Sequence, residues 1–340
     1  MRVSLNGYLL NNPHTGSGQY ATHLLEYLHG VEMAVARPAA MLGNLAKLQW
    51  EQAGWPAAAR KSRAELLHAP YFALPLRRQL PAVVTIHDLI PMVLPAYRGS
   101  LLVRTYTWLQ ALACHSAEAI LVDSEWSKRD VLRILGVPPD RVHVIYLGVE
   151  QRFSPDRSGA SPLDRPYIFY IGGWDVRKNV PALLRAFGRL APEYPDLVLA
   201  IAGEPGSGSP MFPNLRQLVA PLGDRVRFLG RVSDDEKLAL YRYAELFVFP
   251  SIYEGFGLDP LEALACGCPV VCSNAASLPE ITGDAALLFD PRDHGALAAS
   301  MGQALSDPEP LRAKGPPQAA KFRWEGTAAQ TSEVYRKVLA

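Results

Sequence analysis

The fold turns on Leu246-Phe247-Val248-Phe249, followed at Glu254 by Glu254-Gly255-Phe256-Gly257-Leu258-Asp259-Pro260-Leu261-Glu262. The first four residues have the composition of a buried strand. Asp259 then Pro260 predicts an N-cap and the first helical position. The order is strand, glycine-rich loop, helix. Such a turn gathers backbone N–H groups and the positive end of a helix, where an anion is stabilised. Glu254 and Glu262 stand eight positions apart and bracket the turn. Carboxylates accept from hydroxyls, so the pattern suggests a phosphate-bearing ligand that also carries hydroxyl groups. Two plainer readings stand beside it. Asp259-x-x-Glu262 fits a capping box, in which Glu262 bonds only the N-cap backbone. Glu254 alone fits a solvated loop carboxylate.

Outward from this stretch, short apolar runs alternate with helical patterns, which predicts α/β architecture with mainly parallel sheets. The first half offers strands at 2–5, 65–68, 82–87, 119–122 and 142–146. The second offers 167–171, 197–202, 226–229, 246–249 and 269–272. Ser233-Asp234-Asp235-Glu236 is a capping box, Ser124 precedes a helical pattern, and Gly136 with Pro138-Pro139 ends it. The stretch from Ser154 to Pro162 is small, polar and proline-bearing, and is the linker candidate. It predicts an N-terminal domain of residues 1–158 and a C-terminal domain of 159–324. Each half has the pattern of a doubly wound sheet, whose ligands bind beyond the carboxyl ends of the strands. Two such sheets facing one another would enclose a cleft.

The chain has 340 residues and a formal net charge of +1, which gives no argument for nucleic-acid binding. The start lacks the apolar core of a signal peptide. No apolar run approaches the ~20 residues that span a bilayer. The expectation is a cytoplasmic protein, peripheral at most on the inner face of the plasma membrane. Cys266, Cys268 and Cys272 lie close together, but no histidine accompanies them, and free cysteine is ordinarily a small core residue.

Two further loops follow predicted strands. Gly172-Gly173-Trp174-Asp175-Val176-Arg177-Lys178-Asn179 places two cations against a helix whose N-cap would be Asn179. The helix dipole disfavours cations there, and a bound diphosphate would reverse the penalty. Val83-Val84-Thr85-Ile86-His87-Asp88 ends a strand on His87, on the side where the ligand is expected. Gly16-Ser17-Gly18-Gln19-Tyr20-Ala21 matches a dinucleotide fingerprint. No strand runs directly into it, however, and Arg37 stands where an acidic ribose ligand is expected. A glycine loop near phosphates fits better than a nicotinamide site.

Together these motifs resemble the retaining glycosyltransferases of the GT-B fold, family 4, also called glycosyl transferases group 1. The resemblance is strongest from Phe249-Pro250-Ser251 to Asp290-Pro291, including Ala263–Val271 and Ser277-Leu278-Pro279-Glu280-Ile281-Thr282-Gly283. Trp50-Glu51-Gln52, Thr85–Pro91 and Ser124-Glu125-Trp126-Ser127-Lys128 are similar to the mannosyltransferase branch that builds bacterial surface glycans. The resemblance implies two Rossmann-like domains facing across a cleft, with a C-terminal helix from about residue 325 to 340 crossing back to the first domain. It also implies site roles. Glu254 approaches the donor sugar, and Glu262 accepts from ribose hydroxyls. Gly255, Phe256, Gly257 and Leu258 present backbone N–H groups to the donor. Lys178 binds the diphosphate, and His87 lies near the donor sugar. Gly16 and Gly18 form a mobile N-terminal loop. Many members carry arginine immediately after the first-strand glycine; here Gly173 stands there, and Arg177 is the candidate replacement.

The implied reaction is transfer of a sugar, favoured as mannose from GDP-mannose, to a glycan or polyprenyl-diphosphate-linked acceptor. No cofactor is implied, since the nucleotide-sugar is a substrate. No acidic D-x-D run suggests a divalent metal. A nucleotide-sugar epimerase, a non-catalytic sugar-nucleotide-binding subunit and a nicotinamide enzyme are the competing functions. An anionic membrane surface is a further expected partner. Basic clusters at Arg60-Lys61-Ser62-Arg63, Arg77-Arg78 and Lys128-Arg129 would supply the charge, with Trp55, Tyr71-Phe72 and Trp126 nearby.

Overall fold

The computed structural model describes residues 1–12, 15–40, 43–204, 206 and 211–340. The chain divides into two compact units, Met1–Gly148 with Arg323–Ala340, and Val149–Phe322. The first unit holds β1 (Arg2–Asn6), β2 (Glu32–Ala36), β3 (Leu66–Ala69), β4 (Ala82–Ile86), β5 (Ala119–Val122) and β6 (Val142–Val144). They pair in the order β2-β1-β3-β4-β5-β6. The second unit holds β7 (Tyr167–Ile171), β8 (Val198–Ala202), β9 (Val226–Gly230), β10 (Leu246–Phe249), β11 (Val270–Ser273) and β12 (Ala286–Phe289). Their order is β12-β11-β10-β7-β8-β9. Every pairing is parallel.

The central strands β3, β4, β5, β8, β10 and β11 are buried along their whole length. Helices cover both faces of a parallel sheet, so its strands carry unbroken apolar runs. Val84, Ile86, Ile120 and Trp55 anchor the core of the first unit. Leu183, Phe187, Ile201 and Val248 anchor that of the second. Fully burying a side chain such as Phe187 stabilises by roughly 2 kcal/mol.

β2 and β12 were not anticipated, and both lie at sheet edges. Their burial alternates irregularly because one side of an edge strand meets solvent. The periodic signal on which the sequence reading relied is therefore weak there. The helix signals fare well: Ser233 and Glu236 form the reciprocal capping box. Ser124 accepts from Ser127 N, and Gly136 closes that helix at φ 63°.

The division between the units falls at Gly148/Val149. The Ser154–Pro162 stretch, expected to be the linker, lies inside the second unit. Arg242 Nε donates to the Ser154 carbonyl at 2.9 Å, and Tyr243 Oη donates to the Arg157 carbonyl at 2.7 Å. Its composition announced irregular backbone, and these donors hold that backbone in place. The helix Trp324–Leu339 belongs to the first unit, where Thr327 Oγ1 donates to the Tyr146 carbonyl at 2.7 Å. Among the described residues, no helix is long and apolar enough to cross a membrane.

In the second sheet the chain proceeds from β7 to β8 and β9, then returns to the other side of β7 for β10, β11 and β12. Loops leaving β7 and β10 therefore part in opposite directions and leave a crevice at the carboxyl edge. The first sheet has the equivalent point between β1 and β3.

Candidate active site

The loops after β7 and β10 flank the crevice of the second sheet, and side chains from the two meet across it. Lys178 Nζ donates to Glu254 Oε1 at 2.8 Å, and Arg177 Nη1 lies 2.6 Å from the same oxygen. Arg177 Nη1 also donates to the Tyr253 carbonyl at 3.1 Å, and Ile252 N donates to the Arg177 carbonyl at 2.8 Å. The ammonium of Lys178 sits 4.6 Å from the centre of the Phe249 ring. Glu254 thus faces two cations, and Asp175 Oδ1, 3.8 Å from Arg177 Nε, balances the second positive charge. Burial pushes the Glu254 carboxyl up, but Lys178 and Arg177 outweigh it and hold the group below its ordinary value. The carboxylate is ionised at neutral pH.

The cations follow β7 in a short 3₁₀ turn, Val176–Lys178, capped by the Asp175 side chain, which accepts from Arg177 N at 3.2 Å. Asn179 stands at the N-cap of the helix Val180–Leu190, in the left-handed region at φ 55°. It makes no side-chain cap there; its amide donates to the Pro291 carbonyl at 3.1 Å instead. The charge compensation that the sequence reading assigned to a ligand is supplied in this structure by Glu254. Gly173 has room for little else: a Cβ there would lie 2.9 Å from Asp175 Oδ2.

Beyond β10 the expected cap is displaced. The helix spans Leu258–Ala265, and Gly257, at φ 121°, occupies the N-cap. Asp259 and Pro260 are its second and third residues, not the cap and first position. Gly257 permits this early start because its backbone conformation is strained for any other residue, and a Cβ would meet Leu278 Cδ2 at 2.8 Å. The first N–H groups of a helix have no acceptor inside it. Ser277 Oγ lies 3.0 Å from the Glu254 carbonyl and 2.6 Å from that of Phe256, and so fixes the loop from behind.

Glu262 does not cap. Its Oε1 accepts from Lys237 Nζ at 2.9 Å. Its Oε2 is buried with no hydrogen bond of ordinary geometry. Burial pushes this carboxyl up to about 7, against the pull of Lys237 and of the buried Tyr241 hydroxyl beside it. A buried carboxylate oxygen with spare acceptor capacity suits a hydroxyl donor.

In the first unit His87 follows β4 directly. Its Nδ1 is 2.6 Å from Asp123 Oδ2 and its Nε2 is 3.1 Å from the Pro70 carbonyl. Burial lowers the pKa of the ring, Asp123 more than reverses that, and the net shift is upward. Two oxygen acceptors suit an imidazolium that donates from both nitrogens. Gly16 and Gly18 do not form a loop. They open the helix Gly16–Tyr27, and Thr15 Oγ1 accepts from Gly18 N at 3.2 Å. A threonine three residues before the second glycine of the pair is itself a helix-start signal, and it prevailed over the loop reading.

The crevice between β1 and β3 holds a cluster that the sequence reading left without a role. Glu51 is fully buried. Tyr71 Oη donates to its Oε1 at 3.0 Å, and Tyr106 Oη to its Oε2 at 2.9 Å. Gln110 Nε2 donates to Oε2 at 3.3 Å. Lys47 Nζ lies 3.5 Å from Glu51 Oε1 and 5.2–5.4 Å from the ring centres of Tyr8, Tyr71 and Tyr106. Burial raises the Glu51 pKa despite Lys47. No residue spacing announces this cluster, because its members come from separate elements.

Cys266, Cys268 and Cys272 are buried, and burial pushes the Cys268 and Cys272 thiols up to about 12. Among the described residues no group of His, Cys, Asp and Glu is disposed to hold a metal ion. The aromatic residues named with the basic clusters also need correction: Trp55 and Tyr71 are core residues, not surface ones.

Residues 152–321 match the family described as glycosyl transferases group 1, and residues 17–153 match glycosyltransferase family 4. The O-antigen chain mannosyltransferase B of Escherichia coli is 38% identical over 298 residues, which is 82% of this chain and 76% of that protein. The serotype-specific mannosyltransferase WbdA of Escherichia coli is 32% identical over 277 residues, 76% of this chain and 33% of that longer protein. Among solved structures, sucrose-phosphate synthase from Thermosynechococcus elongatus has a TM-score of 0.80 at 21% identity, over 99% of both chains. Anabaena HepE in complex with UDP-glucose has a TM-score of 0.76 at 18% identity, over 99% of this chain and 100% of that one. These structural likenesses agree in the fold, two Rossmann-like units of the GT-B kind.

Proposed function

The chain belongs to the group 1 glycosyl transferases, and on that premise we propose that it moves mannose from GDP-mannose to a glycan or polyprenyl-diphosphate-linked acceptor with retention of configuration. The observation that carries this reading is the pairing of Arg177 and Lys178 with one carboxylate, Glu254, at the carboxyl ends of β7 and β10. Two cations gathered beside a helix N-terminus suit a diphosphate that draws them from Glu254. The mannosyltransferase relatives favour the sugar.

Cleavage of a sugar–phosphate bond builds negative charge on the leaving diphosphate and positive charge on the sugar ring. Lys178, Arg177 and the N–H groups of Gly255 to Leu258 stabilise the leaving group in place. Glu254 exchanges part of its hold on Lys178 for the donor and turns its negative charge toward the developing oxocarbenium. Glu262 offers Oε2 to the ribose hydroxyls. For His87 we carry forward the role implied by the resemblance, near the donor sugar, and for Gly16 and Gly18 only donor binding, now from the start of a helix and not from a loop. No metal ion takes part in this reading.

A thermal-shift screen tests the donor. Binding to the native state alone raises the melting point by mass action. GDP-mannose should raise it more than UDP-, ADP- or dTDP-sugars at equal concentration. A larger shift with UDP-glucose would reassign the donor. The anomeric coupling in the NMR spectrum of the product then reports retention or inversion.

A further inference from the structure

Five buried side chains of the first unit form a chain of hydrogen bonds that starts and ends on one helix. Tyr335 Oη lies 2.5 Å from His68 Nδ1, and His68 Nε2 lies 2.9 Å from Thr85 Oγ1. Tyr20 Oη lies 2.9 Å from the same Thr85 oxygen, and the Thr331 hydroxyl bonds that of Tyr20. Thr331 and Tyr335 stand one turn apart on the helix Trp324–Leu339. His68 lies in β3, Thr85 in β4 and Tyr20 in the helix Gly16–Tyr27. None of the five is more than 2% exposed.

The chain runs one way. Thr331 Oγ1 donates to the Thr327 carbonyl at 2.8 Å, so toward Tyr20 it can only accept. The single Tyr20 proton is then in use, and Thr85 must donate to Tyr20 and accept from His68 Nε2. His68 carries one ring proton, because burial lowers its pKa to about 3 and the charge of His87 acts in the same sense. Its Nδ1 therefore accepts from Tyr335. Each proton serves one bond, and removal of any hydroxyl leaves a buried partner unmet. The Tyr20 ring meanwhile packs on His87, with 4.9 Å between ring centres and 79° between planes. Asp123 and the Pro70 carbonyl hold the two His87 nitrogens. Two such bonds leave the imidazole free to tilt about the line joining those nitrogens. A ring set edge to face against it opposes that tilt.

We propose that Tyr20 is a positioning residue for His87, and that the helix Trp324–Leu339 sets its place through Thr331 and Tyr335. The plainer reading, buried hydroxyls that only satisfy one another, accounts for the bonds. It does not account for a chain that ends on a ring turned against His87, in the helix that Gly16 and Gly18 open. The inference rests on the proposed function for the role of His87 near the donor sugar. The placement of His87 is read without donor.

The test is NMR of the isotope-labelled full chain, first without donor. The ring signals of His87 are assigned by their loss in His87→Gln. Burial lowers the pKa of this ring, while Asp123, Asp88 and the Pro70 carbonyl together raise it further, and neutral His68 lies near. The signals should therefore titrate above the ordinary histidine value. Tyr335→Phe and Thr331→Val, each a bond or more removed from His87, should shift the signals and their titration. Tyr20→Leu, which removes the ring as well, should shift them further. Thr331→Ser keeps the hydroxyl and should restore the wild-type signals. Turnover is read as GDP released from GDP-mannose. Tyr335→Phe and Thr331→Val should lower kcat about tenfold at unchanged donor KM. In a His87→Ala background the same changes should lower it no further, because the group they act through is gone. Wild-type His87 signals in folded Tyr335→Phe and Thr331→Val overturn the proposal. So does an equal loss of kcat with and without His87, which marks a purely structural role. A wild type that neither binds nor cleaves GDP-mannose would strike the proposed donor, and the His87 signals would still decide for or against Tyr20.

Discussion

Each unit encloses a glutamate, one in the loop after β10 and one in the helical segment between β2 and β3, and their surroundings are opposite. In the second unit Glu254 lies between Lys178 and Arg177 and is held ionised. In the first, Glu51 is enclosed by two tyrosine hydroxyls, Gln110 and one lysine boxed by aromatic rings, and its pKa rises. Parallel sheet topology supplies the crevice in both cases. The side chains decide its electrostatics. One crevice gathers two cations with Glu254 and Asp175 and suits an anionic ligand that takes the place of a carboxylate. The other is balanced and polar, and holds its elements together.

The most severe test of this contrast is Glu254→Gln. The change keeps the shape and removes the charge that faces the reacting sugar, so kcat should fall by about 100-fold with a modest change in donor KM. A pure rise in KM would reject the assigned role. Lys178→Ala comes next. Donor affinity should fall more than tenfold by calorimetric titration while the far-ultraviolet dichroism stays unchanged, because Arg177 remains to hold Glu254. Unchanged affinity in the folded variant would remove Lys178 from the diphosphate site.

Glu262→Gln should act more mildly, raising donor KM several-fold and leaving kcat near wild type. Its pH dependence sharpens the point. With the carboxyl near 7, wild-type donor KM should rise as pH falls through 7, since protonation removes acceptor capacity. The glutamine variant should be flat from pH 6 to 8 in the same steady-state assay.

The smallest effect compares stability profiles of the two crevices. Glu254 has a depressed folded pKa, so its stabilisation is present above the unfolded value and is lost as pH falls through the folded one. Glu51 has a raised folded pKa, so its contribution is present below the unfolded value and is lost as pH rises through the folded one. Melting curves from pH 3 to 8 should therefore change slope in opposite senses for Glu254→Gln and Glu51→Gln. Donor binding should change only in the former. Parallel changes would mean that the two crevices do the same work.

Much of this was legible in the chain itself. Unbroken apolar runs such as Val83–Ile86 and Leu246–Phe249 can only be satisfied with both faces covered, which forces parallel sheets between helices. Ser233 with Glu236, and Ser124 with Gly136, fixed helix ends because capping is local chemistry among residues three or four apart. Lys178 and Glu254 stood out for the same reason: each follows closely on a strand, in a stretch whose glycines are visible, and Glu262 lies in the helix that the second stretch opens.

Tertiary structure alone decided the rest, because it depends on residues far apart in the chain. Lys178 and Glu254 are 76 positions apart, and only the adjacency of β7 and β10 makes them partners. Lys237 reaches Glu262 across 25 positions and turns a supposed cap into a buried, half-satisfied carboxylate. Gly257 moved the helix start because it adopts φ 121° beside Leu278, where a side chain would clash. β2 and β12 went unread at sheet edges, where partial exposure weakens the apolar pattern, although the edge strands β6 and β9 were legible. That the helix Leu101–His115 turns Leu101, Trp108 and Leu112 outward could not be known from its apolar content, because periodicity shows which residues share a face but not which way that face points.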